Sequence, residues 1–357
     1  MRLVDAVARL KMVGLGLSGD ANDDTGQFVF RDGRVSTHNG VFGLWANMDI
    51  GIETALPGDK LTSLLSKCNG TDVEFTNVGD SVRITCGRTN VTMRKLEITS
   101  KEMPELAGVT VDWRRAWTEA LERASWSMSD DPQRPDLAGI TMSAVENAMV
   151  FYSTIGMGIT RSIVPGASDD VLVGSALIIP SRFMWAVQRV VGSQPCSAIQ
   201  FADEYLHAVF GEGDSAAHLY GSFPSEAKPE RYDEIIAAII DGLEWVAVPA
   251  GLAPTLDRVE AAGGRDTITE ITVANGKMRL HTDEDFGTVD DELDFPGEGG
   301  PIKVKAAVLR KAASVSNEIA ISANCVGLRS GDGFMYVQAT VTDATATPAP
   351  QEEETQS

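Results

Sequence analysis

Apolar residues along this chain follow two periods, a helical one near 3.6 and a strand one of two, and the order of the two patterns recurs three times. The segments 57-PGDKLTSLLSKC, 180-PSRFMWAVQRVV and 305-KAAVLRKAASVS align as short amphipathic helices, with first residues 123 and then 125 positions apart. Each is followed by the same strand series. The first reads 73-VEF, 82-VRITC, Gly87 and 91-VTM; the second 199-IQF, 205-YLHAVF, Gly211 and 218-HLYGSF; the third 319-IAI, 325-CVGL, Gly331 and 334-FMYVQAT.

Each repeat also opens with a helix and a hairpin. The pattern predicts opening helices over 2–13, 112–125 and 254–262, with Leu3, Val7 and Leu10 on one face of the first and Pro254 at the first position of the third, where proline is tolerated. The second helices are predicted over 58–68, 180–192 and 303–315. Strands 28-FVF and 41-VFGLWANM flank Asp32-Gly33, strands 140-ITMSA and 149-MVFYSTIGMGI flank Asn147, and 268-ITEITVA and 278-MRLHT flank Asn275-Gly276. An Asx residue between alternating strands is a hairpin signal. The resulting fold class is α+β: three repeated domains, each with two helices packed on antiparallel sheets. The boundaries read 1–110, 111–243 and 244–342. The acidic, proline-containing stretch 224-PSEAKPERYDE reads as a linker, and 343–357, almost without large apolar side chains, as a disordered acidic tail.

Composition narrows the class. A chain of 357 residues with 43% hydrophobic and 23% charged residues is ordinary for a globular protein, and three domains of this size match the usual range. No apolar run approaches ~18 residues, so no membrane span is expected. The N-terminus, with Asp5 and basic residues inside its apolar stretch, is a poor secretory signal, so the expected location is the cytoplasm. Cys68, Cys86, Cys196 and Cys325 lack metal-ligand spacing and read as buried thiols in a reducing compartment.

A net charge of −21 argues at first against a nucleic-acid partner, but its distribution reverses that reading. The six predicted helical segments hold half of the chain's 30 Lys and Arg residues and only seven of its 51 Asp and Glu residues. Arg2 and Arg9, Lys60 and Lys67, Arg182 and Arg189, and Lys303 and Arg310 are each seven residues apart. At ~100° per residue, such pairs share one helix face about 10 Å apart along the axis. Leu61, Leu64, Leu65 and Cys68 form the buried stripe of the second helix, which turns Lys60 and Lys67 outward. Amphipathic helices commonly expose lysine to solvent, yet four such pairs in so acidic a chain point to a surface that neutralises phosphates without reading bases. The candidate DNA-contacting residues are Arg2, Arg9, Lys60, Lys67, Arg114, Arg115, Arg123, Arg182, Arg189, Arg258, Lys303, Lys305, Arg310 and Lys311.

Other chemistry is not supported. Gly14, Gly16 and Gly19 form GxGxxG, but a helix precedes it and the polar 20-DANDDTGQ follows, the reverse of a dinucleotide site. The acidic 281-HTDEDFGTVDDELD lacks the spacing of a calcium loop and reads as a solvated loop. His38, His207, His218 and His281 offer no constellation with a nucleophile, so no catalytic residue, cofactor or metal is expected.

The threefold unit, the P-x-x-x-[LFM] helix start, and the phrases 103-MPEL and 223-FPSEAKP resemble bacterial-type β sliding clamps, the processivity factors of replicative DNA polymerases. The resemblance covers residues 1 to about 342, and its divergence has the style of a bacteriophage-encoded version. It implies a head-to-tail homodimer in a closed ring, helices inside around duplex DNA and sheets outside. Such pairing would also remove the open strand edge left at each end of three sheets in series. It further implies a cleft that receives short linear motifs from the polymerase and clamp loader, formed by Ser153 and Thr154, by Pro180, Phe183 and Met184, and by Val337, Ala339 and Val341; apolar residues at these positions would equally serve an ordinary core. The family usually has a strand before its first helix, whereas here Arg2 starts a helix almost at once, and the acidic tail is a further departure. The expected function is therefore a non-catalytic DNA sliding clamp. The alternatives are an open monomeric processivity factor that uses the same basic helices and a β-rich virion structural protein.

Overall fold

Asp32, Asn147 and Asn275 are the non-glycine residues with left-handed backbone among those described, at φ 51°, 59° and 55°. Asp32 and Asn275 are each followed by a glycine that is also at positive φ, and each of the three turns closes a hairpin, although the strand that returns after Asp32-Gly33 is Arg34–His38 and not 41-VFGLWANM, which pairs on its far side. The computed structural model describes residues 1–18, 24–98, 109–112, 115–129, 131, 137–166, 176–181, 183–185, 187, 196–202, 205–222, 229–264, 267–284 and 287–341. It is an α+β fold of helices on antiparallel sheets, and it divides into two units: residues 1–151 with 164–229, and residues 152–163 with 230 onward.

The first unit is built around an eight-stranded antiparallel sheet. Its strands are β1 (Gln27–Arg31), β2 (Arg34–His38), β3 (Phe42–Asn47), β4 (Thr54–Pro57), β8 (Val109–Asp112), β13 (Cys196–Ala202), β14 (Tyr205–Phe210) and β15 (Ala217–Ser222), in the order β4-β1-β2-β3-β15-β14-β13-β8. The join lies where β3 of the first repeat pairs with β15 of the second, Leu44 opposite Leu219 and Trp45 opposite His218. Helices α1 (Leu3–Val13) and α2 (Gly58–Ser66) bury Leu3, Ala6, Leu10 and Val13, and Leu61 and Leu65, in a core shared with Phe28, Phe30, Val35 and Leu44. That periodicity predicts both helices to within two or three residues. A smaller sheet follows, β5 (Val73–Val78), β6 (Ser81–Cys86) and β7 (Thr89–Arg94). Helix α3 (Arg115–Ser125) buries Trp117, Ala120, Leu121 and Ala124. It begins three residues later than the sequence indicates, because 109–112 is strand β8 paired to β13. Strands β9 (Ile140–Val145), β10 (Ala148–Thr154) and β12 (Ala176–Ile179) follow, with β12 on β9.

In the second unit β11 (Gly158–Pro165), β23 (Phe334–Ala339), β22 (Cys325–Arg329), β21 (Glu318–Ile321) and β16 (Val246–Ala247) run side by side in that order. A second sheet has the order β19-β18-β17-β20, from β17 (Ile268–Ala274), β18 (Lys277–Glu284), β19 (Gly287–Asp294) and β20 (Gly299–Lys305). Its helices are α4 (Pro229–Ile240), α5 (Leu252–Gly263) and α6 (Ala306–Val315).

Five expectations are corrected. The stretch read as a linker is α4 from Pro229 onward, because proline is tolerated in a first turn and Ile236, Ile239 and Ile240 give it an apolar face. The helix expected over 303–315 begins at Ala306: in 302-IKVKA, Ile302 and Val304 point inward on β20, and that alternation is a strand signal. The acidic segment after His281 is not a loop but the β18–β19 hairpin, whose carboxylates face Lys277, Arg279 and His281 across the strands. Pro254 is the third residue of α5 rather than its first, still within the turn that needs no amide donor. Arg2 does not simply open a helix: it forms an antiparallel bridge with Asp72, flanked by Leu3 N–H to Thr71 O and Val73 N–H to Met1 O.

Candidate nucleic-acid interface

The basic helices divide into side chains that present charge and side chains whose charge is already balanced. On α1 the face opposite the core leaves Val4, Ala8 and Lys11 exposed. Arg2, at its N-terminus, donates from Nε and Nη2 to both oxygens of Asp5, at 2.7 and 2.9 Å, and this hydrogen bonding holds the Asp5 carboxyl below its usual range. Arg9 is half-buried and turns toward the sheet, where Nη1 donates to the Asn47 carbonyl. Lys60 on α2 and Lys67 directly after its last residue are exposed, as the Leu61–Leu65 stripe predicts. On α3, Arg115 is exposed and pairs with Glu119 at 3.2 Å one turn on, while Arg123 is half-buried in the last turn. Arg114, Arg182 and Arg189 lie outside the described residues.

In the second unit α5 and α6 lie side by side, and Arg310 of α6 is tied to α5 by ion pairs to Asp257 (3.1 Å) and Glu260 (2.7 Å). Arg258 reaches the other way, from α5 to Asp291 of β19, with Nε 3.1 Å from that carboxylate and a further bond to Thr255. The Asp291 carboxyl is held low, first by the hydrogen bond from Arg258. Lys303 and Lys305 are half-buried at the end of β20, so Lys303 and Arg310 do not share a helix face. Lys311 is exposed on α6.

The surviving positive surface is therefore narrower than the residue count implies. Among the described residues, no carboxylate pairs with Lys11, Lys60, Lys67 or Lys311. Lys11 is an addition to the predicted set; its exposure follows from its place one residue after Leu10, away from the 3-6-10-13 stripe. Exposed pairs such as Arg2–Asp5 contribute little to stability, so their effect is chiefly to cancel charge that a phosphate would otherwise meet.

The positions expected to form a peptide cleft are placed differently from one another. Phe183 is 1% exposed and meets the Phe42 ring edge-on at 5.9 Å in the core of the first unit, where Met184 is also buried and Pro180 half-buried. Ser153 and Thr154 are buried in β10, and Thr154 Oγ1 accepts from the Gly156 N–H at 3.0 Å in the turn to β11. Ala339 and Val341 are half-buried; their N–H groups donate to the Met157 and Lys303 carbonyls. Val337 is buried with Ile159 and Met335 beneath Ile236 of α4.

One cluster escapes sequence reasoning. His207 Nδ1 lies 3.1 Å from Gln200 Oε1, and its Nε2 lies 2.9 Å from His218 Nδ1. The amide oxygen can only accept, so His207 carries its proton on Nδ1 and Nε2 accepts from His218. The His218 ring stacks on Trp45, and the Arg34 guanidinium lies 4.4 Å from the centre of the Trp45 ring. Burial pushes His207 down to about 4 and His218 to about 3, the latter helped by His207 and Arg34. No sequence spacing announces this column, because its members come from five strands and two repeats. Burial likewise pushes the Cys196 thiol up to about 12, as befits an inert core thiol. Among the described residues no group of His, Cys, Asp and Glu could hold a metal ion, and no helix is long and apolar enough to cross a membrane.

Comparison with known proteins places the fold. No protein-family model matches the sequence, and no curated protein matches it. Solved structures do match, over nearly the whole chain. The DNA polymerase III beta subunit of Thermotoga maritima is 15% identical, with 96% of this chain and 98% of that chain covered and a TM-score of 0.75. A DNA polymerase sliding clamp from Caulobacter crescentus is 16% identical, with 96% and 98% covered and a TM-score of 0.79. The Helicobacter pylori beta clamp is 10% identical, with 96% and 99% covered and a TM-score of 0.76. The chain has the fold of these clamps.

Proposed function

We propose that this protein is a DNA sliding clamp, a non-catalytic ring that surrounds duplex DNA and tethers a replicative polymerase. The observation that carries this reading is the likeness of fold to polymerase III beta subunits along 96% of the chain. Two features support it. The threefold repeat of the sequence, read as 1–110, 111–243 and 244–342, would give three domains per chain, so that two chains head to tail would make a sixfold ring. Lysines with no carboxylate partner among the described residues lie on or at the end of helices of the first and third repeats, at Lys11, Lys60, Lys67 and Lys311. The mechanism is topological. A closed ring cannot leave DNA sideways, so weak phosphate contacts suffice, and weak contacts permit sliding. The polymerase and clamp loader dock through short linear motifs, which raises their effective concentration at the template. The setting is a bacterial cytoplasm, with the divergence of a bacteriophage version.

The test is retention on DNA of two topologies. The protein is incubated at high concentration with nicked circular plasmid, challenged with high salt, and the plasmid is then cut once. A clamp stays bound on the circle through the salt and is released by the cut. An open, monomeric processivity factor leaves circular and linear DNA alike at the same salt, and a virion structural protein is retained on neither.

A further inference from the structure

Helix α4 is an addition to the second unit that is held at its edge rather than built into its core. Of the residues from Arg231 to Ile240 only Ile236 is fully buried; Tyr232, Ile239 and Ile240 are half-buried, and Ile235, Ala237 and Ala238 are exposed. Ile236 seats on Ile159 of β11 and on Met335 and Val337 of β23. Those three share one face of a paired strand couple, since Ile159 is opposite Val337 and Arg161 opposite Met335. The fastening at the helix start is polar. Asp233 accepts from the Tyr152 hydroxyl at 2.7 Å and from Arg161 Nη1 at 2.9 Å, and the Tyr232 ring stacks on Tyr152 at 5.3 Å. The ion pair is partly open to water, with Asp233 48% exposed. The Arg161 Nε–H is buried with no acceptor among the described residues, so α4 leaves the guanidinium incompletely satisfied.

Beneath α4 the strand pair thus presents an apolar strip, Ile159, Met335 and Val337, with a phenol and an under-bonded guanidinium at one end. A twelve-residue helix is marginal on its own, so once lifted it unravels rather than swinging as a rigid lid. One fully buried isoleucine, the half-buried Tyr232, Ile239 and Ile240, a long thiol bond from Cys325 to the Ile239 carbonyl and a partly hydrated ion pair are a thin fastening for a helix, which makes α4 a candidate for opening by local fluctuation, independent of global unfolding.

We infer that α4 is a built-in, displaceable occupant of the strip on β11 and β23, which includes Val337 of the client cleft that the resemblance implies, so that a client's short apolar segment with an acidic group binds there only by displacing α4. The inference rests on the clamp reading, in which client proteins must be recruited. It predicts that docking is weakened by the resident helix, in inverse proportion to the fraction of time α4 is lifted.

Two measurements on the full chain test this, and neither involves DNA, so their failure is separate from failure of the clamp reading. Hydrogen exchange of the unaltered protein should show α4 amides exchanging at least about 100-fold faster than those of β11 and β23. Exchange of α4 at the rate of those strands overturns the inference. The second probe is a labelled synthetic peptide of residues 229–240, added to the unaltered chain and to Ile236→Asp. It should bind the variant at least about tenfold tighter, and the same peptide carrying Ile236→Asp should bind neither. Equal affinity for both chains, or binding to neither, overturns a displaceable docking face. Should Ile236→Asp fold poorly, Asp233→Ala, which cuts only the partly exposed polar fastening, takes its place with the same expected order.

Discussion

The Trp45 indole and the His218 imidazole lie 3.5 Å apart and 4° from parallel, one on each side of the seam where β3 of the first repeat meets β15 of the second. The stack continues through His207 to Gln200 on one side and to Arg34 on the other. Both histidines are neutral in the fold, pushed down to about 4 and about 3 from 6.5. The unfolded chain takes up protons near pH 6.5 that the fold refuses, so stability is intact above that pH and falls on acidification toward pH 4. Each imidazole contributes roughly 1.4 kcal/mol per pH unit within that window. Urea unfolding at pH 7, 6 and 5 should show a fall in stability that His218→Phe, which keeps an aromatic ring on Trp45, reduces by about half. An unchanged pH slope in that variant would contradict the assignment.

Tyr220 closes the same seam by lying across Gly43. A methyl group on Gly43 would run into the Tyr220 ring, and that ring is itself buried opposite Gly43 in the strand register. Gly43→Ala should therefore cost about 1–3 kcal/mol by overpacking. Gly51→Ala serves as the comparison: it carries a positive φ but has open space around it, so its cost is backbone strain alone. Thermal unfolding of the two variants separates packing from strain.

DNA affinity should depend on lysines more than on arginines. Lys11, Lys60, Lys67 and Lys311 lack carboxylate partners among the described residues, whereas Arg258 and Arg310 are neutralised by Asp291 and by Asp257 and Glu260. Replacing any of the four lysines by alanine should lower the slope of log affinity against log salt by about 0.9 for each phosphate that the lysine neutralises. Arg310→Ala should leave that slope nearly unchanged while loosening α5 from α6. Fluorescence anisotropy on a duplex between roughly 50 and 200 mM salt, where phosphate neutralisation weakens steeply, measures both.

Phe183 tests whether a predicted docking residue is structural. Buried against Phe42, it should cost about 3–5 kcal/mol on truncation to alanine, and a charge there should prevent folding of the first unit. Calorimetry of Phe183→Ala beside the half-buried Val341→Ala should show the first strongly destabilised and the second mildly so.

The features legible in the sequence are those decided within about a dozen residues. Asp32-Gly33 and Asn275-Gly276 announce their hairpins because these residue types tolerate left-handed backbone, and the Leu61–Leu65 stripe orients Lys60 and Lys67. Short-range ambiguity accounts for the misreadings: 302-IKVKA carries both a basic helical heptad and a strand alternation, and the inward-facing Ile302 and Val304 decide for the strand. Helix α4 is disguised by Pro229, Glu230 and Asp233, which look like a linker until the strip under Ile236 is known. The β3–β15 pairing, the histidine column and the Arg258 and Arg310 ion pairs join residues from distant segments of the chain, so only the folded chain reveals them.

The central claim is that two copies close into a ring. Negative-stain electron microscopy of the purified protein tests it most directly. Closed rings with a sixfold outline and a central opening wide enough for duplex DNA are the predicted result. Isolated curved particles at every concentration would contradict it and leave the clamp fold without the topology that the function requires.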